Sequence, residues 1–88
     1  LIALVKPQFE AGRVEAAKGA GVIRDPKIHA EVLTDILGVV EETGMAVVNL
    51  IRSPLLGPKG NTEFLVLIQN RNAPRNDLKT LILSVFAS

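Results

Sequence analysis

The chain opens on Leu1-Ile2-Ala3-Leu4-Val5, an apolar run that passes without a break into Lys6-Pro7. Such a run reads as a strand buried on both faces, the habit of parallel strands in α/β proteins, and the proline ends it. Farther on, Asp25-Pro26 supplies an N-cap and a proline for the first helical position. Ile28, Val32, Ile36, Val39 and Val40 then form an apolar stripe, widened by Leu33 and Leu37, with Lys27, Glu31, Asp35, Glu41 and Glu42 opposite. This spacing predicts a half-buried helix, and Gly44 is placed to end it in the left-handed conformation. Residues 45–51 and 62–69 read as two further strands. Asn76 or Asp77 caps a last helix, whose Leu78, Leu81, Ile82, Val85 and Phe86 keep the i, i+3, i+4, i+7, i+8 repeat.

The order is β-α-β-β-α. A strand–helix–strand unit should be a right-handed crossover that leaves strands one and two parallel. Strand three follows strand two with no helix between them and should run antiparallel. Residues 7–24 read as a long loop, a feature that is usually functional or mobile. Parallel strands one and two end at one edge of the sheet, and an antiparallel strand three begins there. Lys6 closes strand one and Glu63 is the second residue of strand three, so both belong to that edge, where open α/β folds place their ligands. If strands one and three are neighbours, the ammonium and the carboxylate come within ion-pairing reach. The plainer reading is a surface lysine and an exposed strand residue.

Composition sharpens the fold class. Of the 88 residues, 48% are hydrophobic but only 3% aromatic, so Leu, Val and Ile do the packing. A chain of this size buries only about 60–65% of its unfolded surface. An aliphatic excess therefore suits an inner slab of a larger α/β domain, and a start inside a strand makes the chain read as a part of something longer. The net charge of +1 gives no global field to draw it onto nucleic acid. Without cysteine there is no disulfide framework. No run approaches the ~20 apolar residues that span a bilayer, and no metal-ligand cluster stands out.

Three motifs carry a resemblance. Leu4-Val5-Lys6-Pro7-Gln8-Phe9-Glu10 with Gly12-Arg13, then Val22-Ile23-Arg24-Asp25-Pro26 with His29, then Ser53-Pro54 with Gly57-Pro58-Lys59-Gly60-Asn61-Thr62-Glu63-Phe64 together resemble the TlyA-type family. Its members are often labelled hemolysins and carry an FtsJ-like ribosomal RNA 2′-O-methyltransferase domain behind an RNA-binding S4 domain. The resemblance implies that residues 1–88 are one partial domain, the C-terminal part of a Rossmann-like class I S-adenosylmethionine-dependent methyltransferase fold. It implies a mixed sheet in which the antiparallel last strand lies between the two parallel ones. Lys6 then matches the second lysine of the family's Lys-Asp-Lys-Glu tetrad, and Glu63 matches its glutamate. The first lysine, the aspartate, the S4 domain and the residues that hold most of the S-adenosylmethionine would lie upstream, so this stretch alone should be inactive.

The remaining candidates divide less sharply. Arg13, Lys18 and Arg24 could touch RNA phosphates, and solvated loop charges explain them equally. Arg52, Lys59 and Asn61 are similar but flank the edge that holds Glu63. Gly19-Ala20-Gly21 lacks the spacing of a nucleotide loop and reads as a hinge. His29, the only histidine, is assigned a capping or surface role. Ribosomal RNA is the expected partner and the cytoplasm the expected location, with no membrane contact. The isolated stretch is expected to self-associate through the uncovered face of strand one. The alternative is a non-catalytic module, RNA-binding or hemolysin-like.

Overall fold

The structure, a computed structural model, describes residues 1–10, 22–70, 72 and 77–86. Its elements are β1 (Ile2–Val5), α1 (Pro7–Glu10), α2 (Pro26–Glu42), β2 (Ala46–Arg52), a 3₁₀ turn (Pro58–Gly60), β3 (Phe64–Gln69) and α3 (Leu78–Ser84). The predicted order is thus present, with one helical turn added. The strand order is β1-β3-β2. Val5 pairs with Phe64 and Ile2 with Leu67, while Arg52 also pairs with Phe64 and Ala46 with Gln69. β3 is therefore the central strand, antiparallel to both neighbours, and β1 and β2 point the same way without touching. Among the described strands every pairing is antiparallel. The mixed character expected of the sheet would need a parallel neighbour that these residues do not include.

One face of the sheet carries the core. Phe64, Val66 and Ile68 alternate inward from β3 and meet Val5, Val47 and Leu50. Strict alternation along β2 could not turn both Val47 and Leu50 inward, because three positions separate them. The register slips between Val47 and Asn49, and that bulge restores the phase so that both residues face the helices. From α2 come Val32, Leu33 and Leu37, and from α3 come Leu81 and Ile82. Leu33 and Leu37 are fully buried, whereas Val39 is 58% exposed, so the stripe of α2 centres on Leu33 and Leu37, and Val39 lies off it. The caps are as read from the sequence. Asp25 Oδ1 accepts a 2.9 Å hydrogen bond from Lys27 N, Pro26 opens the helix, and Gly44 follows it at φ 91°. Asp77 caps α3; Asn76, its rival, lies outside the described residues.

The opposite face is not covered by the described residues. Ile2 is 68% exposed and Leu4 46%, so the outer face of β1 is open, as expected of this stretch taken alone. Strand limits also move: β2 takes in Arg52, and β3 begins at Phe64, leaving Glu63 just outside it. Among the described residues no helix is long and apolar enough to cross a membrane.

Candidate active site

Antiparallel pairing of β1 and β3 sets the geometry. Val5 faces Phe64, so Lys6, one step beyond Val5, and Glu63, one step before Phe64, emerge at the same edge of the sheet. Lys6 leads into a helical turn, not a loop. Pro7 has no N–H to lose and fits a first helical position, and the Lys6 carbonyl accepts from Phe9 N at 3.0 Å and Glu10 N at 3.2 Å. The rest of the predicted loop, residues 11–21, lies outside the described residues, and with it Arg13, Lys18 and the Gly19-Ala20-Gly21 hinge.

The turn sorts three side chains. Lys6 and Phe9 stand at i, i+3 on one side, and the Lys6 ammonium lies 5.9 Å from the centre of the Phe9 ring, within cation–π range. Gln8 turns inward and is buried. Its Nε2 donates a 2.8 Å hydrogen bond to Glu63 Oε2. The expected Lys6–Glu63 ion pair is not formed, because the turn directs Gln8 at the carboxylate and Lys6 over Phe9. Glu63 itself is buried, not an exposed strand residue. A buried carboxylate needs a hydrogen-bond donor, and Gln8 provides it.

The loop between β2 and β3 forms the floor. Ser53 N donates to the Glu63 carbonyl at 2.8 Å, Gly57 N to the Asn61 carbonyl at 2.7 Å, and Gly60 N to the Gly57 carbonyl at 3.1 Å. Lys59 (φ 58°) and Gly60 (φ 81°) are both left-handed, which reverses the chain sharply enough for these bonds to close. Gly57 packs so closely under Glu63 that a Cβ there would overlap the carboxylate.

A second set of contacts ties this loop to the start of α2. Asn61 is 1% exposed, and its Oδ1 accepts a 3.0 Å bond from Ile23 N. The Ile23 carbonyl lies 2.8 Å from His29 Nε2, and the His29 ring meets Phe64 edge-on at 5.7 Å. His29 is therefore a buried brace, not a surface or capping residue, and Asn61 faces inward as a clamp, away from any RNA surface. The clamp brings the exposed Arg24, next to Ile23, to the same region. Arg52, read as a loop residue, ends β2 and donates from Nη2 to the Val85 carbonyl at 3.0 Å, where a cation suits the C-terminus of α3. Lys59 is exposed at the tip of the loop.

Sequence reasoning missed Gln8 and Gly57. A proline directly after a strand, read as a first helical position, would have disclosed the turn that buries Gln8. Nothing in the sequence marks Gly57 apart from Gly60, the other glycine of its loop.

The edge thus carries a half-buried lysine and a buried, donor-bound glutamate, from segments 57 positions apart. Residues 1–70, a span that contains both, match the FtsJ-like methyltransferase family. The chain belongs to that family. It is 48% identical over 65 residues to the "Putative rRNA methyltransferase YqxC" of Bacillus subtilis, a match over 74% of this chain and 23% of that protein. It is 35% identical over 71 residues to the 16S/23S rRNA (cytidine-2′-O)-methyltransferase TlyA of Mycobacterium tuberculosis, over 81% of this chain and 26% of the relative. Among solved structures, the "Putative hemolysin from Streptococcus thermophilus" superposes with a TM-score of 0.77 at 37% identity, covering 97% of this chain and 32% of that one. The chain spans about a quarter of the length of the curated relatives it matches.

FtsJ-like methyltransferases as a family draw their methyl group from S-adenosylmethionine. Among the described residues no group of three or more His, Cys, Asp and Glu could hold a metal ion.

Proposed function

We propose that this chain is the acceptor-side, C-terminal portion of a Rossmann-like methyltransferase domain, and that the whole enzyme methylates a ribose 2′-hydroxyl of ribosomal RNA. The observation that carries the reading is the convergence of Lys6 and Glu63 on one sheet edge, with Glu63 buried and hydrogen-bonded. The donor, S-adenosylmethionine, is held mainly by parts of the enzyme outside this chain and supplies an electrophilic methyl group.

A ribose hydroxyl is a weak nucleophile and must be held in line and relieved of developing negative charge. Lys6 leaves the face of Phe9 for the hydroxyl oxygen, orients it and stabilises its alkoxide character while the hydroxyl proton passes to solvent. Glu63, beneath that position, attracts the ammonium and fixes its direction. Arg24 and Lys59, both exposed near this edge, take RNA phosphates, which set position without reading sequence. Arg13 and Lys18 are proposed in the same role. Asn61 supports the edge from within, and Arg52 ties the end of β2 to the end of α3.

The test is methyl transfer by the full-length protein. With radiolabelled S-adenosylmethionine and ribosomal particles, the label is expected in the RNA. Incorporation that is absent, or confined to protein, would remove the methyltransferase reading.

A further inference from the structure

Two neighbours of Glu63 take no part in that chemistry, yet they enclose its carboxylate. Gln8 Nε2 lies 2.8 Å from Oε2, and Gly57 leaves room below that any side chain would fill. We infer that Gln8 is a positioning residue of the site: it holds Glu63 in place from inside the fold, so that Lys6 need not be committed to an ion pair before RNA arrives.

Three observations carry this. First, both groups are buried, Gln8 at 7% exposure and Glu63 at 6%, where a hydrogen bond to a charged acceptor is strong and directional. A carboxylate requires a donor, which fixes the amide with Nε2 toward Glu63. Second, Gln8 Oε1 is buried and has no partner among the described residues. An unsatisfied buried acceptor costs stability, and an apolar side chain of the same size would fill the space without it. What the glutamine supplies in return is the donor that the buried Glu63 carboxylate requires. Third, the Lys6 ammonium rests over Phe9, so the grip on Glu63 does not depend on Lys6. The carboxylate is aimed in advance and the ammonium remains movable.

This inference rests on the proposed methyl transfer, and its test separates the two. In the full-length enzyme, Gln8→Met removes the donor and keeps the volume. We expect kcat to fall about tenfold, as for a modest misplacement of a reacting group, with KM for RNA and cofactor affinity within about twofold and Tm lowered, because the buried carboxylate loses its donor. In a Glu63→Ala background the same substitution should have no further effect, the signature of one residue acting through another. Wild-type kcat in Gln8→Met, or independent losses in the double variant, would each overturn the inference. One arm needs no activity. The Gln8 side-chain amide protons should resonate downfield and exchange slowly, and both features should vanish in Glu63→Ala. Their absence from the wild type would overturn the positioning role even in an active enzyme. A wild type that transfers no methyl to RNA but shows these resonances would sink the proposed function alone.

Discussion

Lys6→Ala in the full-length enzyme is expected to lower methyl transfer to RNA by about 10²–10³, the usual loss when one strong stabilising group at a developing oxyanion is removed. Lys6 stands at the end of β1, half-buried, with its ammonium against Phe9. In the proposed reaction its contact with the hydroxyl is made mainly in the transition state, so the loss should fall on kcat, with cofactor affinity within about twofold. The fold should be little affected, since the Lys6 backbone carbonyl, which holds the turn at 3.0 and 3.2 Å, is untouched. Lys6→Arg keeps the charge but spreads it over a planar fork and should restore little. Single-turnover rates on ribosomal particles decide the matter. A near-wild-type rate in Lys6→Ala would return Lys6 to the status of a strand-end surface lysine.

Glu63→Ala should be milder, with a loss of about ten- to a hundredfold in kcat. Because Gln8 and not Lys6 binds the carboxylate, its removal leaves the ammonium in place but without direction. The alanine variant also strands the buried Gln8 amide, which costs about 1–3 kcal/mol for a group left without a partner. Glu63→Gln separates these effects, since it keeps the shape and removes only the charge. We expect its Tm near wild type and its kcat close to that of Glu63→Ala. Gly57→Ala strikes the same carboxylate by crowding and should approach but not exceed the Glu63→Ala loss. If Glu63→Ala proves as damaging as Lys6→Ala in chemical monitoring of single turnovers, Glu63 contacts the reacting atoms, and the division of roles between the two residues is wrong.

The parts of the fold that repeat or are capped were legible in the sequence. Asp25-Pro26 and Gly44 bracket α2 because an N-cap, a first-position proline and a left-handed C′ residue each have a local cause. The hairpin character of β2 and β3 followed from the lack of a helix between them, and this placed Lys6 and Glu63 on one edge. What escaped depends on contacts distant in sequence. α1 is a single turn, too short for any periodic signal, so Gln8 appeared as a loop residue and the ion pair was expected where an amide stands. His29 shares the stripe of Leu33 and Leu37 at four-residue spacing, which could have revealed its burial. Only the fold, however, supplies the Ile23 carbonyl and the Phe64 ring it meets. The bulge in β2 has no mark in the sequence beyond two inward residues at an odd spacing.

The position of the transferred methyl group tests the central claim most directly. Ribosomal RNA labelled by the full-length enzyme from radioactive S-adenosylmethionine can be hydrolysed in alkali, which cuts only where a free 2′-hydroxyl adjoins the phosphate. A methyl group on the ribose oxygen blocks that cut, so the label should be recovered in an alkali-stable dinucleotide, and Lys6→Ala should yield almost none of it. Label recovered in mononucleotides would place the methyl group on a base and contradict the account.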